Sequence, residues 1–447
     1  MRFKNWMKAM ACGLVCVGPA SAQIRLGAPA TTEGEITTPV APPPRLVDRA
    51  DYNQVVSSPA PSNTVILSSR DVAAQQQATT TLSNSTSSNC GASTGPVGGD
   101  VWFQPQATFW RPTGMRIPAL ATSSPLNTPA GLAGVLDQPT TSVVLGNRSM
   151  VDDSRFGFEL RGGYWFDSAN TIGIDVGGFY LGRGTESATV KSSGSPGLFQ
   201  PFFDANTGLK SAQPIAAINV PVGVVTTGSV TVDAGTELSG FDINYRHCLC
   251  DSGDLRRDLL VGYRYFRLQD TLGIRSDSTA IVSNAANSPP FGSTISRFDR
   301  FQTVNSFNGF QLGATFDRRI GALSVGGHFK LGLGEVEEQT NIQGNTATRA
   351  LNGAISGAPG GLYAQASNIG SHARTDFAVL PELGVNAGLE LGGGFRVFVG
   401  YRLLYLSRVA RAGDQVDGAL NGGHPAYIGR TTELWVHGAN AGLEVRY

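Results

Sequence analysis

Apolar and polar residues alternate along most of the chain after Asp100, and this pattern predicts β-strands. Successive side chains of a strand point to opposite faces, so a period of two gives the strand two distinct faces. In the segment 155–166 one face is apolar and comprises Phe156, Phe158, Leu160, Tyr164 and Phe166. The opposite face carries Arg155, Glu159 and Arg161. A face with these charges cannot lie in lipid, whereas the apolar face can.

The same division recurs in later segments. Near residue 400 the apolar face comprises Phe395, Val397, Val399, Tyr401, Leu403 and Tyr405. Arg396, Gly400 and Arg402 lie opposite it. Segments near 172–176, 241–246, 323–331 and 382–390 repeat the pattern less regularly. Counted from Trp102 to Tyr447, the alternation predicts an all-β chain of about ten strands, with a range of ten to twelve.

The connections between these segments alternate between short and long. Short polar or glycine turns are expected at Asp167–Asn170, Asp251–Arg256, Asp317–Gly321 and Gly392–Gly394. Long connections rich in Ser, Asn, Gly and Pro are expected at 112–154, 183–234, 276–300, 340–374 and 408–431, where we predict structureless loops. This alternation is typical of a transmembrane antiparallel up-and-down β-barrel with short periplasmic turns and long outside loops. An even count of ten strands places both chain ends in the periplasm.

Composition narrows the class further. The 447 residues carry 34 Lys and Arg against 34 Asp and Glu, so no basic excess points to nucleic acid as a partner. After the first 22 residues the chain contains no run of 18 apolar residues, which excludes a helical membrane protein. Any membrane span must therefore be made of strands.

The first 100 residues differ in amino-acid composition and pattern from the rest. Three basic residues, an apolar stretch and Ala20-Ser21-Ala22 predict a signal peptide over residues 1–22, cleaved before Gln23. Its removal leaves 31 basic against 34 acidic residues. Residues 23–99 are rich in Pro, Ser, Thr, Ala and Gln, and we expect a disordered periplasmic tether or, alternatively, a small plug. The barrel is expected over residues 100–447.

The mature chain has three cysteines, and their state stays open from sequence. Cys248 and Cys250 lie two positions apart on the same face of one strand, where a bridge between them would be strained. Cys90 is a candidate disulfide partner for Cys248 or Cys250, and unpaired thiols are about as well supported. Without a second Cys pair the C-x-C spacing is a poor zinc signature, so we expect neither a metal nor a cofactor.

The last strand resembles the signal that the outer-membrane barrel assembly machinery reads. A polar residue is followed by a glycine two positions on, and alternating apolar residues end on an aromatic. These positions are Asn440, Gly442, Val445 and Tyr447. We therefore expect the assembly machinery and outer-membrane lipid as partners, and deletion of Tyr447 should impair assembly. An ordinary edge strand is the alternative.

The region 110–166 carries a more specific resemblance. The stretches 117–125, 133–141, Val144-Leu145-Gly146 and 155–167 resemble, in this order, the opening of the putative beta-barrel porin family numbered seven. The segment 399–406 is similar to its penultimate strand. Asp137 and Thr140 stand where that family usually has Gly, which affects loop details. The resemblance spans about residues 100–447 and implies a bacterial outer-membrane barrel. A porin role is implied only by the name of the family.

The inward faces predict a narrow lumen with mixed charges. A barrel of eight strands is filled by side chains and open channels have 16 to 18, so ten to twelve strands fall on the narrow side. The predicted lumen-lining residues are Arg155, Glu159, Arg161, Asp175, Asp242, Arg246, Arg264, His328, Lys330, Glu382, Glu390, Arg396, Arg402, Glu444 and Arg446. They form either a core of ion pairs or a hydrophilic path for ions and small solutes.

A porin-like channel for ions or small hydrophilic solutes is thus the first functional hypothesis. The alternative is a non-conducting structural or surface-recognition barrel that acts through its long loops. An enzyme is disfavoured: His372 with Asp376, and His424 with Asp414 or Asp417, are the His–carboxylate groupings expected outside, and neither comes with a nucleophile motif. No catalytic residue is assigned.

Overall fold

The computed structural model describes residues 101–447 except 220–223 and 284–289. The signal peptide predicted at 1–22 and the tether predicted at 23–99 lie outside the described residues. The described part contains seventeen strands, numbered β1 to β17 in chain order, and one 3-10 helix at Ala412–Gln415. None of its helices is long and apolar enough to cross a membrane.

Ten of these strands form a closed antiparallel ring. In order around the ring they are β1 (Val101–Pro112), β4 (Arg155–Trp165), β5 (Ile172–Ser192), β9 (Val224–Asp251), β10 (Leu255–Ser283), β11 (Thr294–Ile320), β12 (Leu323–Arg349), β14 (Gly370–Gly392), β15 (Phe395–Val409) and β17 (Thr432–Arg446). The pairing of β17 with β1 closes the ring, with Trp102 opposite Arg446 and Pro112 opposite Val436. The predicted ten-stranded up-and-down barrel is confirmed.

The long connections are not structureless, and this prediction was wrong. They contain a second, five-stranded sheet of β2 (Met115–Ser124), β3 (Ser142–Met150), β6 (Gly197–Asp204), β7 (Leu209–Ala216) and β16 (Ala419–Leu420). Two short strands extend the barrel sheet: β8 (Ile218–Asn219) pairs with β9, and β13 (Ile355–Pro359) pairs with β12. The strands β9 to β12 also run far beyond their predicted ends, so most of the 276–300 connection is strand.

The two faces of the wall follow the alternation in the sequence. Apolar side chains on the outer face are exposed, as for Phe156 at 77%, Phe158 at 59% and Phe377 at 63%. Between them lie buried inward residues such as Glu159 at 2% and Arg402 at 6%. So much exposed aromatic surface is unfavourable in water and suits a lipid environment, where the outward face of a barrel is apolar.

Two apolar clusters occupy the interior toward the loop end of the barrel. We call the first the inner apolar layer, and nine of the ten barrel strands contribute to it: Trp110, Phe179, Leu181, Leu238, Phe266, Leu268, Phe307, Val336, Ala378, Leu380, Leu404, Leu406, Val409, Leu434 and Val436. The outer apolar cluster lies closer to the loops. It joins loop residues such as Met115, Ile117 and Leu198 to inward residues of the extended barrel strands, including Val232, Ile274 and Phe301. The five-stranded sheet thus packs onto the interior of the barrel.

Candidate functional site

A layer of paired charges crosses the interior on the turn side of the inner apolar layer. Arg264 lies near its centre with 1% exposure. Its Nη1 donates to Asp242 at 2.8 Å and its Nη2 donates to Glu382 at 2.5 Å. Lys330 donates to the second oxygen of Asp242 at 3.0 Å. The buried Arg264 of β10 and three other inward side chains therefore connect four strands, β9, β10, β12 and β14.

Arg161 and Arg402 extend this layer to β4, β5 and β15. Arg161 lies 2.5 Å from Asp175 and 3.0 Å from Asp242. Arg402 donates to Glu159, which Arg161 also reaches. We call the eight residues together the charged layer: Glu159, Arg161, Asp175, Asp242, Arg264, Lys330, Glu382 and Arg402.

Four cations in this layer face four carboxylates, and each member has a partner of opposite sign. His328 adds a contact of 2.9 Å from its Nε2 to Glu382. Charges removed from water are costly unless they are paired and hydrogen-bonded. The layer meets that condition except at Arg264 Nε, which has no hydrogen-bond partner among the described residues. Its four positive and four negative charges balance one another, as in a self-neutralised core.

The interior opens into a cavity of 330 Å³ at the turn end. Arg246 lies between two aromatic rings there, with its guanidinium 5.6 Å from the Trp102 ring and 5.2 Å from the Trp165 ring. It also donates to Asp258 at 2.6 Å. Arg396 pairs with Asp317 at 2.8 Å. The charged layer forms the floor of this cavity, so the cavity is a vestibule.

The remaining predicted lumen residues also have side chains inside the ring. Arg155 lies on the loop side of the charged layer and donates to the carbonyl of Thr236 at 2.9 Å. Glu390 and Glu444 lie 3.8 Å and 3.6 Å from Arg396 at the turn end. Arg446 pairs with Glu444 at 2.5 Å. All of the sequence-predicted residues are therefore placed inside, but they form two groups along the axis, with Arg155 apart from both.

Sequence reasoning missed a buried ion pair between the two apolar clusters. Asp270 of β10 is 0% exposed and pairs with Arg411, which is 1% exposed and lies in the 408–431 connection. Thr236 donates to the other oxygen of Asp270 at 2.7 Å. Asn305 donates to the carbonyl of Ala410 at 2.9 Å. The connection between β15 and β17 thus enters the barrel and is held there by polar contacts.

The two His–carboxylate groupings that the sequence predicts for the outside loops differ in their contacts. His424 Nδ1 lies 2.7 Å from Asp417, whose carboxylate also accepts the backbone N–H groups of Ala419 and Ala426. These hydrogen bonds hold the pKa of Asp417 below its usual value, although burial opposes them. His372 stacks on Tyr427 with centroids 4.1 Å apart, while Asp376 pairs with Arg374 and Arg408. Asp417 organises its loop, which accounts for its contact with His424.

The cysteines near the end of β9 differ from each other. Cys248 is buried at 2% and is disulfide-bonded, whereas Cys250 is a free thiol. Cys90, the partner predicted from sequence, lies outside the described residues. The pairing of Cys90 with Cys248 stays a prediction.

The four residues of the predicted assembly signal lie along the seam of the ring. Asn440 donates to Gln106 of β1 at 2.9 Å. Gly442 leaves no room for a side chain, because an added Cβ would lie 2.6 Å from the carbonyl oxygen of Pro105. Val445 is 9% exposed, and the N–H of Tyr447 donates to Val101 at 2.9 Å. Their role in assembly stays a prediction.

Comparison with known proteins gives a family and distant structural likenesses. A family model described as putative beta barrel porin-7 matches residues 102–447. The outer membrane protease OmpT from Escherichia coli is 13% identical, with 80% of this chain and 100% of that chain covered and a TM-score of 0.38. The translocator domain of the autotransporter NalP from Neisseria meningitidis is 12% identical, covers 85% and 98% of the two chains, and has a TM-score of 0.19. The Ralstonia pickettii toluene transporter TbuX is 10% identical, with coverages of 78% and 90% and a TM-score of 0.19. No curated protein matches the chain.

Proposed function

The chain belongs to the putative beta barrel porin-7 family of outer-membrane barrels, and from that premise we propose that it is a non-conducting barrel that acts through its folded outer surface. Its turn end faces the periplasm and its loop end faces outward. The observation that carries the proposal is the inner apolar layer, to which nine of the ten strands contribute. Phe266 and Phe307 in this layer are 0% exposed. A water-filled path cannot pass through side chains packed in this way.

The outermost loops support a role in surface recognition. Large apolar side chains are exposed there: Phe291 at 59%, Leu351 at 69% and Ile355 at 72%. Gly292 lies against Leu351, since a Cβ added to it would be 2.6 Å from that side chain. Several exposed apolar side chains at one end of a barrel are typical of a contact surface for another macromolecule.

A porin-like channel is the second candidate. The 330 Å³ vestibule favours it, because its polar lining would admit hydrated ions or small polar solutes from the turn end as far as the charged layer. Conduction would then require the inner apolar layer and the five-stranded sheet to move aside. The channel therefore needs a second conformation, whereas the non-conducting barrel needs none.

The current through single barrels in a planar bilayer tests the proposal. The mature protein, refolded and checked by heat-dependent gel mobility, should give a silent bilayer because its interior is filled. Arg402→Glu reverses a charge in the charged layer, and Arg267→Glu is the matched control on the outer face of β10, where Arg267 is exposed. Reproducible wild-type steps that change with Arg402→Glu and not with Arg267→Glu would instead support the channel.

The proposed orientation predicts where protease cuts intact cells. Residues 206–210 are exposed at the loop end, in the turn between β6 and β7 and the first two positions of β7. Trypsin added outside should cut after Lys210, while exposed Arg318 at the turn end should be cut after cell lysis only. Lys210→Gln should remove the first cut. Cutting at Arg318 on intact cells, with Lys210 protected, would reverse the orientation.

A further inference from the structure

A second cavity lies on the outside of the barrel wall at the loop end. It has a volume of 910 Å³ and lies between the β2–β3 hairpin and the segments 411–416 and 430–435, and we call it the lateral cleft. Glu433 and Trp435 line it, and both point away from the interior because the residues that alternate with them, Leu434 and Val436, are buried in the inner apolar layer. The lateral cleft therefore faces the surroundings of the barrel.

The lateral cleft begins where the apolar outer face ends. On β15 this face runs from Phe395 to Tyr405, which is about 33 Å of strand and, at a tilt of about 40°, roughly 25 Å along the membrane normal. That height matches the apolar band of a transmembrane barrel. Tyr405 packs on Trp435 with ring centroids 4.5 Å apart. Such an aromatic pair at the border of the band marks the level of lipid headgroups.

Three arginines line the lateral cleft. Arg116 and Arg430 have no ion-pair partner within 4.0 Å among the described residues. Arg411 is 1% exposed, and its Nη2 has no hydrogen-bond partner among them. Its Nε donates to Asp270 and its Nη1 to the carbonyl of Thr113 at 3.0 Å. A buried guanidinium nitrogen without an acceptor is costly, so this wall favours an anionic ligand.

The acidic residues of the lateral cleft are partly engaged elsewhere. Asp137 pairs with Lys210. Glu433 accepts a hydrogen bond from Tyr405 Oη at 3.2 Å. Burial raises the pKa of Asp414, against the effect of Arg411, Arg430 and Arg116. Lys210 thus balances the charge of Asp137, as Asp270 balances that of Arg411.

We propose that the lateral cleft binds the phosphate of an outer-leaflet lipid headgroup, with Arg116 and Arg430 on the phosphate and Trp435 against the lipid below it. Guanidinium groups suit phosphate because two N–H groups can donate in parallel. The backbone that carries Arg116 is fixed, because a Cβ on Gly413 would lie 2.0 Å from the Arg116 carbonyl oxygen. A fixed wall lowers the ordering cost of binding. The inference rests on the proposed orientation and is independent of whether the lumen conducts.

Binding of diphosphorylated lipid A to the full mature chain, refolded in a neutral detergent and followed by native mass spectrometry, tests the proposal. Wild type should bind it, and the double variant Arg116→Gln/Arg430→Gln should bind about 100-fold more weakly, roughly tenfold for each lost charged contact. The control Lys191→Gln/Arg349→Gln removes two exposed cations elsewhere at the loop end and should bind like wild type. Heat-dependent gel mobility confirms folding, and Arg116→Lys/Arg430→Lys serves if the glutamine variant does not fold.

Two further ligands identify the group that is recognised. Fully dephosphorylated lipid A should bind at least tenfold more weakly, and inorganic phosphate should compete only at much higher concentration because it lacks the lipid contact with Trp435. Equal binding of the dephosphorylated lipid would overturn the phosphate contact. Inorganic phosphate that binds as tightly as the lipid would make the lateral cleft a site for a free anion. An equal loss in the Lys191/Arg349 control would reduce the effect to general surface charge. None of these outcomes bears on the filled lumen or on the orientation, which the bilayer and protease measurements test separately.

Discussion

Replacing Arg264 by alanine should destabilise the folded barrel by about 3–5 kcal/mol, the usual cost of removing one partner from a buried ion pair. Arg264 is the contact between Asp242 and Glu382, at 2.8 Å and 2.5 Å. Its loss leaves two buried carboxylates each short of one charged donor. The midpoint of urea unfolding, followed by tryptophan fluorescence and by heat-dependent gel mobility, measures the change.

Arg267 provides the matched control on the same strand. It is exposed on the outer face of β10, three positions from Arg264, and its described side-chain contact is a weak one to Gln269 at 3.5 Å. Arg267→Ala should change stability by less than about 1 kcal/mol. Adding Glu382→Gln to Arg264→Ala should recover part of the loss, because it restores equal numbers of cations and carboxylates in the charged layer. Equal effects of the two alanine variants would mean that the charged layer does not hold the barrel together.

The wall of the barrel could be predicted because its signal is local. Phe156 and Glu159 fall on opposite faces by counting along one strand, and the same holds for Tyr401 and Arg402. Short turns such as Gly392–Gly394 then join each strand to its neighbour. Each step uses residues close in sequence, so the ring of ten strands follows without knowledge of distant contacts.

The filling of the barrel could not be predicted in this way. In Leu403-Leu404-Tyr405-Leu406 the period of two disappears, because this part of the strand is apolar on both faces. This loss of alternation indicates the inner apolar layer, but a strand that is buried on both faces in a soluble protein has the same continuous apolar sequence. The five-stranded sheet depends on distant pairings such as Thr122 with Phe199 and Ala419 with Phe203. Nothing local distinguishes those partners from other loop residues.

The Asp270→Ala variant should separate the stability of the outer apolar cluster from that of the barrel wall. Its carboxylate holds Arg411, and with it the 3-10 helix Ala412–Gln415, inside the loop end. Asp270→Ala leaves the buried Arg411 with the Thr113 carbonyl as its described acceptor, and a cost of about 3–5 kcal/mol is expected. This cost falls on the 408–431 connection, which can open while the ring of ten strands keeps its backbone hydrogen bonds.

Limited trypsin digestion of the folded Asp270→Ala protein should therefore cut after the buried Arg411 about 100-fold to several thousand-fold faster than in wild type, since opening becomes easier by the lost pair energy of about 3–5 kcal/mol. Heat-dependent gel mobility should stay that of a folded barrel. Asp233→Ala is the matched control, because Asp233 is exposed on β9. Simultaneous loss of gel mobility and protection would mean that the barrel and the outer apolar cluster unfold as one unit. Distinct outcomes for Arg264→Ala and Asp270→Ala would instead make the outer apolar cluster a separate cooperative unit on a rigid wall, which is the arrangement that a recognition surface requires.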